Sequence, residues 1–190
     1  IELLAQGEKT VELLAGQARI DMRLASAHLR ALREARLVET RREGKFIHYR
    51  LSGPDVAQLW LNVREVAEEH LVELRVALDR MAAAPNALSS ESRDSLLAKA
   101  RSGDIVVIDV RPETEFAAGH LPCARSMPLA ELEKRLADLP VDKEIVAYCR
   151  GPFCLMSDEA VQLLRQRGYT AHKITDGVIE WRANGLPIEN

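Results

Sequence analysis

Cys149 is the residue of this sequence whose surroundings point most directly to chemistry. It follows the apolar run 145–148, and Gly151 and Pro152 turn the chain before a predicted helix over 157–167. Backbone N–H groups in such a loop point inward, and the helix dipole adds partial positive charge. This cradle binds an anion and favours a thiolate, so we expect the pKa of Cys149 to lie below the ordinary thiol value of about 8.5. The loop predicts sulfur or phosphorus chemistry.

Phosphatase chemistry uses the same kind of loop but needs an arginine six residues after the cysteine to clamp phosphate oxygens. Leu155 stands at that position and has no guanidinium group, so the sequence favours sulfur chemistry. A merely structural buried thiol is the other alternative, and the position of Cys149 at a strand tip before a glycine-containing turn argues against it. The loop residues expected to surround a substrate are Arg150, Gly151, Pro152, Phe153 and Cys154.

The composition excludes several classes of protein. The chain has 190 residues, of which 47% are hydrophobic, and a net charge of −3, as is ordinary for one large or two small globular domains. No run approaches the roughly 20 apolar residues of a membrane span, and the first residues lack the basic segment of a signal peptide. Three unevenly spaced cysteines make no disulfide framework. We therefore expect a cytoplasmic protein with no membrane partner and no cofactor.

Positive charge is concentrated in one part of the chain. Positions 19–50 hold nine arginines or lysines and four acids, a net charge of +5, so the remainder carries −8. A basic block inside an acidic protein indicates a local polyanionic partner.

The basic block has the pattern of two helices and a hairpin. A short helix over 11–18 and a second over 22–35, with Asp21 as its N-cap, predict a helix-turn-helix. Two alternating strands, 37–42 and 45–51, follow as a basic β-hairpin. In the second helix the residues expected to face inward are Leu24, Ala25, Leu29 and Leu32, and those expected to face outward are Met22, Arg23, Ser26, Ala27 and Arg30.

Residues 1–82 resemble the winged-helix repressors of the ArsR/SmtB family. The segments that carry the resemblance are 7–11, 28–35 and 37–45. The resemblance implies a homodimer on double-stranded, pseudo-palindromic operator DNA, with the helix 22–35 in the major groove and the hairpin tip on phosphates. Arg36 stands where the family usually has glycine, so a residue with a side chain must adopt the helix C-cap geometry at some cost.

The residues expected to contact DNA have two roles. Those expected to read bases are Met22, Arg23, Ser26 and Ala27. Phosphate contacts would set the affinity, and the basic residues in position to make them are Arg23, Arg30, Arg41, Arg42 and Lys45. The alternative is that these side chains form only a solvated face. Their clustering on one helix and one hairpin tip favours DNA.

A long helix is predicted over 55–84 by an apolar stripe at three- and four-residue steps. In the resembled family this helix forms the dimer interface together with an N-terminal helix, which we expect to be largely missing here. The family's metal sites are not expected. The helix 11–18 holds no cysteine for a soft metal, and only His70 and Glu73 have the spacing of the zinc site, so a solvated or partly packed His70 is favoured.

Alternating strands and helices predict a second, α/β domain with a parallel sheet. A polar segment with a proline, 85–90, is the predicted linker between a first domain, 1–84, and a second, 91–190. The predicted strands are 105–110, 145–148 and 170–174, and the predicted helices are 92–101, 113–118, 129–137, 157–167 and 178–184.

Residues 89–190 resemble a rhodanese domain. The segments that carry the resemblance are 109–112, 115–122, the Cys149 loop and 176–187. The resemblance implies that Cys149 is the catalytic nucleophile and carries sulfane sulfur, as a persulfide, from a donor to a thiol acceptor. Many rhodaneses have a cationic residue five positions after this cysteine, where this chain has Cys154. Arg150 either compensates for the missing charge or points to solvent.

Two further cysteines and a histidine have alternative interpretations. Cys154 either packs at the helix start or attacks sulfane sulfur on Cys149 and closes a bridge, and we favour the bridge. Cys123 is expected to be a packed bystander rather than a reactive partner. His120 is expected to orient the loop beside it through hydrogen bonds rather than to transfer a proton.

The two resemblances together imply a DNA-binding regulator whose rhodanese domain takes up sulfane sulfur and alters operator affinity. The alternative is a sulfurtransferase enzyme in which the winged helix is a dimerisation or targeting module. The two functions are not exclusive. Salt-dependent binding to a specific operator would support the first, and turnover with cyanide or a thiol acceptor would support the second.

Overall fold

The computed structural model describes residues 1–82 and 92–190, which divide into two compact units, Ile1–Ala67 and Glu68–Asn190. The predicted linker, 85–90, and the end of the predicted helix 55–84 lie outside the described residues. The predicted domain boundary therefore stays a prediction. Throughout both described segments, every helix is too short or too polar to traverse a bilayer.

The first unit contains the predicted helix-turn-helix and hairpin. Its helices are α1 (Glu2–Ala5), α2 (Val11–Ala18), α3 (Met22–Glu34) and α4 (Pro54–His70), which continues past the unit's end, and its strands are β1 (Lys9–Thr10), β2 (Val38–Glu43) and β3 (Phe46–Leu51). The strands form an antiparallel sheet in the order β1-β3-β2. Asp21 caps α3 as predicted, because its carboxylate accepts a hydrogen bond of 2.7 Å from the Arg23 N–H.

Helix α3 packs with its inner face on a small apolar core. The buried members of that core are Leu4, Leu14, Leu29 and Val38. The expectation that Leu24 faces inward is wrong, since its side chain is 47% exposed. Five residues separate it from Leu29, which places the two about 140° apart around a helix of 3.6 residues per turn. Ala25 occupies the inner position instead.

Arg36 has the left-handed backbone expected just after α3, with φ of 61°. Its carbonyl accepts a hydrogen bond of 2.7 Å from the hydroxyl of Ser52, which ties this turn to the end of the hairpin. Glycine adopts this conformation without the steric cost that a β-carbon brings.

The predicted continuous helix over 55–84 is interrupted. Helix α4 ends at His70 and α5 (Val72–Ala82) begins after Leu71. The charge pattern agrees with this break, because Glu68 and Glu69 oppose the dipole at the end of α4. Apolar side chains at least 40% exposed nevertheless occur along both helices. They are Leu59, Val63 and Val66 on α4, Leu71 between the helices, and Val72 and Val76 on α5.

The second unit contains the predicted parallel sheet, in the order β5-β4-β6-β7. Its strands are β4 (Ile105–Asp109), β5 (Arg125–Ser126), β6 (Glu144–Tyr148) and β7 (Ala171–Lys173), and its further helices are α6 (Arg93–Ser102), α7 (Glu113–Ala117), α8 (Leu129–Leu132), α9 (Met156–Gln166) and α10 (Val178–Ala183). Two differences from the prediction stand out. Strand β5 was not expected, and the helix predicted over 129–137 is α8 followed by a 3₁₀ helix at Glu133–Asp138.

The central strands β4 and β6 determine where the loop lies. Both are buried on both faces, and they pair in parallel with Asp109 beside Tyr148. Their carboxyl ends therefore lie at one edge of the sheet, where the segments after them, beginning at Val110 and Cys149, come together. The backbone N–H of Val110 donates to the Tyr148 carbonyl at 3.1 Å and extends this pairing.

The left-handed turn at Arg36 gives a stability prediction. We expect Arg36→Gly to raise the free energy of unfolding of the first unit by about 0.5 kcal/mol, because relief of steric strain exceeds the entropy that glycine adds to the unfolded chain. Ala31→Gly, at an exposed position of α3, is the control and should lower that free energy by about 1 kcal/mol. Scanning calorimetry measures both. If the two variants are equally destabilised, the turn is not strained.

Candidate functional site

Cys149 lies directly after β6 and is only 1% exposed. Its sulfur is 3.3 Å from the carbonyl oxygen of Cys154, to which the thiol can donate, and 3.4 Å from the hydroxyl oxygen of Ser157. Ser157 is buried in the first turn of α9. Sequence reasoning placed Ser157 on this helix but missed its contact, although a hydroxyl residue in the first turn after a cysteine loop was a usable signal.

The loop folds back so that Cys154 comes against Cys149. Its turn is closed by a hydrogen bond of 3.1 Å from the Cys154 N–H to the Gly151 carbonyl. The backbone of Arg150 and Met156 lies close enough to Cys154 to favour its thiolate. The stabilisation predicted for Cys149 therefore falls on Cys154.

This geometry corrects the prediction for the pKa of Cys149. Burial, the hydrogen bond to Cys154 and the negative charge there raise the pKa of Cys149 well above its ordinary value, although Ser157 acts weakly in the opposite direction. The hydrogen bond from Cys149 lowers the pKa of Cys154 to about 6, aided by the Arg150 and Met156 backbone and by the Arg150 charge, against the effect of burial. At neutral pH a negative charge is therefore favoured on Cys154, the less buried of the two cysteines.

Arg150 follows neither of its two predicted alternatives. Its guanidinium turns inward and clamps the carboxylate of Glu115 through two hydrogen bonds, Nε to Oε2 at 2.9 Å and Nη2 to Oε1 at 2.7 Å. Glu115 is fully buried in α7. Burial lowers the pKa of Arg150, but the hydrogen bonds and charge of Glu115 more than offset this effect, so the net pKa is raised and the guanidinium stays charged.

A second buried ion pair lies at the end of β4. The guanidinium of Arg111 binds both carboxylate oxygens of Asp109, at 2.5–3.0 Å, and donates to the Gly119 carbonyl at 2.8 Å. Tyr148 lies beneath, with its ring 5.7 Å from that guanidinium, and its hydroxyl accepts from the Leu121 N–H at 3.1 Å. In the sequence, Asp109 and Arg111 stood out only because they belong to a segment that resembles the rhodanese family. Charged residues at the end of an apolar strand were the available signal.

The segment before α10 also contacts the loop. Gly177 lies so close that a β-carbon there would be 2.7 Å from backbone atoms of Cys149 and Arg150, so only glycine fits. Its N–H donates to the carboxylate of Glu180 at 2.8 Å, and that carboxylate also lies against Gly151. Asp176, where a second glycine is usual in the resembled family, instead pairs with Arg93.

The other two sequence candidates lie apart from these contacts. Cys123 is exposed, with φ of 64°, so the expectation that it is packed is wrong. The ring of His120 stacks on Phe116 at 3.8 Å and its Nδ1 lies 3.1 Å from the Phe116 carbonyl oxygen. His120 therefore fixes its own segment by hydrogen bonding. In the described part of the chain, no three potential ligands cluster in a way that could hold a metal ion.

The side chains predicted to contact DNA all lie in the first unit and are all exposed. Those on α3 are Met22, Arg23, Ser26, Ala27 and Arg30, and those on the hairpin are Arg41, Arg42 and Lys45. Arg41 is held by ion pairs with Glu8 at 2.9 Å and Glu43 at 2.8 Å. Arg42 donates a hydrogen bond of 3.1 Å to the Gly44 carbonyl. Because that carbonyl is uncharged, the bond does not neutralise the positive charge of Arg42.

The lowered pKa of Cys154 predicts a pH dependence. Alkylation of Cys154 by iodoacetamide should rise with pH through a midpoint near 6 and level off above it, because its pKa is lowered to about 6 and only the thiolate reacts. Cys149 should remain poorly reactive over the same range. Peptide mapping by mass spectrometry assigns each alkylated site. In Cys149→Ala, which lacks the hydrogen-bond donor, the Cys154 midpoint should move upward. A midpoint near 6 at Cys149 with an unreactive Cys154 would reverse this assignment.

Comparison with known proteins adds to this geometry. The family model of the rhodanese-like domain matches residues 92–184. The "HTH-type transcriptional regulator Rv0324" of Mycobacterium tuberculosis is 43% identical over 189 residues, which cover 100% of this chain and 83% of that protein. A "Sulfurtransferase" of Allochromatium vinosum is 34% identical over 104 residues, which cover 54% of this chain and 94% of that protein.

A solved structure shares part of the first unit's sequence. It is the homodimeric winged helix-turn-helix DNA-binding domain (fragment 1–100) Mb0332 of Mycobacterium bovis, described as a possible ArsR-family transcriptional regulator. It is 50% identical, covers 37% of this chain and 65% of its own, and has a TM-score of 0.35. The full-length similarity to the Mycobacterium tuberculosis protein decides the family: the chain belongs to the HTH-type transcriptional regulators that carry a rhodanese-like domain after the winged helix-turn-helix.

Proposed function

We propose that this regulator binds operator DNA as a homodimer and that its rhodanese-like unit accepts sulfane sulfur as a persulfide on Cys149, which alters operator affinity. The observation that carries the proposal is the position of Cys149, buried at the tip of a central parallel strand with its sulfur 3.3 Å from the carbonyl oxygen of a second cysteine, Cys154, whose pKa is lowered to about 6. Such a pair has little structural purpose, because an ionised thiol in a half-buried loop costs desolvation energy. A reducing cytoplasm keeps both thiols available.

Sulfur uptake would begin with a proton transfer between the two cysteines. The Cys154 thiolate takes the proton of Cys149, and the Cys149 sulfur attacks the sulfane sulfur of a donor R–S–SH. The donor's S–S bond breaks, a persulfide forms on Cys149, and the thiolate RS⁻ leaves and is protonated. Ser157, 3.4 Å from the Cys149 sulfur, is placed to donate to the negative charge as it forms.

The persulfide would then react with Cys154. Once this cysteine has returned its proton to solvent, its thiolate attacks the Cys149 sulfur, a Cys149–Cys154 disulfide forms and HS⁻ leaves. The electrons balance without an outside oxidant, since the sulfane sulfur is reduced while the two thiols are oxidised. In this proposal Cys154 is the resolving residue. The loop residues Gly151, Pro152 and Phe153 flank the donor, while Arg150 of the same loop stays paired with Glu115.

The exposed apolar side chains on α4 and α5 support the proposed homodimer. Six apolar side chains, each at least 40% exposed, follow one another from Leu59 to Val76. Apolar area of this extent is normally covered by a partner. These helices stand in the chain between the DNA-binding unit and most of the rhodanese-like one, so a change at the cysteines needs to be worth only about 1–3 kcal/mol to shift operator affinity 5- to 150-fold.

A sulfurtransferase enzyme is the second candidate. The observation that favours it is the similarity of the second unit to an Allochromatium vinosum sulfurtransferase over 94% of that protein. In that function an outside thiol, rather than Cys154, removes the sulfur from Cys149, and the winged helix is a dimerisation or targeting module. Multiple turnover with a thiol acceptor would support it.

The DNA face gives a prediction for two arginines. Arg42→Ala should weaken binding to all duplexes and flatten the dependence of log affinity on log salt by about one unit, because one phosphate contact is lost. Arg23→Ala should also change the preferred sequence. Arg101→Ala, at an exposed position of the second unit, is the charge-matched control and should leave both quantities unchanged. Fluorescence anisotropy at several salt concentrations measures them. Unaltered binding by both variants would disprove the assigned face.

Coupling between sulfur and DNA is tested on an operator selected from random duplexes. Wild-type affinity should change 5- to 150-fold after treatment with polysulfide, whereas Cys149→Ser should not respond. Cys123→Ser, which removes the exposed cysteine, should respond like the wild type. If Cys154→Ser still responds, the persulfide itself is the signal and the disulfide is unnecessary. If wild-type affinity is the same in both states, the regulatory proposal fails and the enzyme remains.

A further inference from the structure

The charges around the cysteine loop bear on which sulfur donors it accepts. Arg150 is the cation that acts on both cysteines, and its charge is already matched by the buried carboxylate of Glu115. The Cys154 thiolate adds one negative charge at the loop. The carboxylate of Glu180 adds another close by, because its oxygen lies 3.0 Å from where a β-carbon on Gly151 would stand. The sum of these charges is negative.

The position that often carries a cation in the resembled family adds to this imbalance. Cys154 stands there, and the next residue, Leu155, is an apolar side chain that is 58% exposed. Pro152, Phe153 and Met156 are half-buried on the same segment. A donor that approaches the loop therefore meets an apolar rim and a net negative charge. An organic group fits such a rim, and each additional negative charge on the donor is repelled.

We propose that the loop takes sulfane sulfur from singly charged donors with an organic group, such as organic persulfides and thiosulfonates, and discriminates against the dianion thiosulfate. Cys154 sets this preference directly, and Glu115 sets it as a positioning residue that neutralises Arg150. The inference rests on the proposed persulfide on Cys149 and specifies its source.

The chemistry of transfer is the same for both donor types. With a thiosulfonate, the Cys149 thiolate attacks the sulfane sulfur of R–SO₂–S⁻, the bond between the two donor sulfurs breaks, and the sulfinate R–SO₂⁻ leaves. With thiosulfate, sulfite leaves in the same way. In both cases one S–S bond forms as one breaks, and total charge is conserved. The pair of donors therefore isolates the effects of charge and of the organic group.

The test compares benzenethiosulfonate, methanethiosulfonate and thiosulfate on the full chain, by single-turnover release of the leaving sulfinate or sulfite. This product is counted whether the transferred sulfur stays on Cys149 or is displaced by Cys154. Each rate is divided by the rate of the same donor with free cysteine, which removes differences in intrinsic reactivity. We expect the corrected rates of both thiosulfonates to exceed that of thiosulfate by about tenfold at low salt, as one unit charge at short range would produce. The thiosulfate rate should rise with added salt, because screening weakens repulsion.

Two variants test the assigned residues. Cys154→Arg restores a cation, and Glu115→Gln releases the charge of Arg150. In each, thiosulfate should react about tenfold faster, and its rate should fall with salt, since repulsion has become attraction. A purely structural role would not invert the salt dependence. Cys154→Ser, which removes the thiol without adding a cation, is the control, and its thiosulfate rate should still rise with salt. If Glu115→Gln does not fold, the result for Cys154→Arg alone decides whether charge at the loop sets the donor preference.

The outcomes separate the two levels of inference. Equal corrected rates for thiosulfate and the thiosulfonates in the wild type would overturn the donor preference. A preference that persists unchanged in Cys154→Arg would overturn the role of that position. If no donor places sulfur on Cys149, the proposed function itself fails.

Discussion

Buried ion pairs at the carboxyl ends of two neighbouring parallel strands hold the cysteine loop in place. Asp109 and Arg111 are completely buried, and Glu115 is equally buried beneath Arg150. Charges removed from water in this way are stable only when each is paired and hydrogen-bonded, and loss of one partner typically costs about 3–5 kcal/mol. Each pair also joins different segments, since Arg111 reaches the Gly119 carbonyl and Arg150 reaches α7. These two ion pairs therefore stabilise one conformation of the cysteine loop.

This constraint changes what the loop can do. An arginine fixed on a carboxylate cannot turn toward a donor without leaving Glu115 as an uncompensated buried charge. The pKa of Cys154 is then lowered and that of Cys149 is raised, so a negative charge is favoured on Cys154. Two such thiols titrate as a coupled pair rather than as one isolated nucleophile. In the proposed mechanism, the reactivity of the loop depends on the movement of a proton between Cys149 and Cys154.

The first unit poses a different physical problem. Its small core leaves the apolar side chains Leu59, Val63 and Val66 of α4 exposed, while the basic residues predicted to contact DNA lie on α3 and the hairpin. Ion pairs reduce the positive charge of the hairpin, because Glu8 and Glu43 hold Arg41. In the proposed function, the remaining predicted phosphate contacts are Arg23, Arg30, Arg42 and Lys45. The exposed apolar side chains and these basic side chains thus lie on different elements of this unit.

Local patterns in the sequence determined the elements, since caps, glycine turns and apolar periodicity depend on neighbouring residues. They predicted the helix-turn-helix, the hairpin, the parallel sheet and the position of Cys149 at a strand tip, whereas the turn at Arg36 was expected from the family resemblance. Tertiary structure alone decided what each polar side chain contacts. Glu115 lies 35 residues before Arg150 in the chain, so no local pattern shows that the two form an ion pair. The opposite pKa shifts of Cys149 and Cys154 likewise depend on burial and on nearby backbone groups, which only the folded loop fixes.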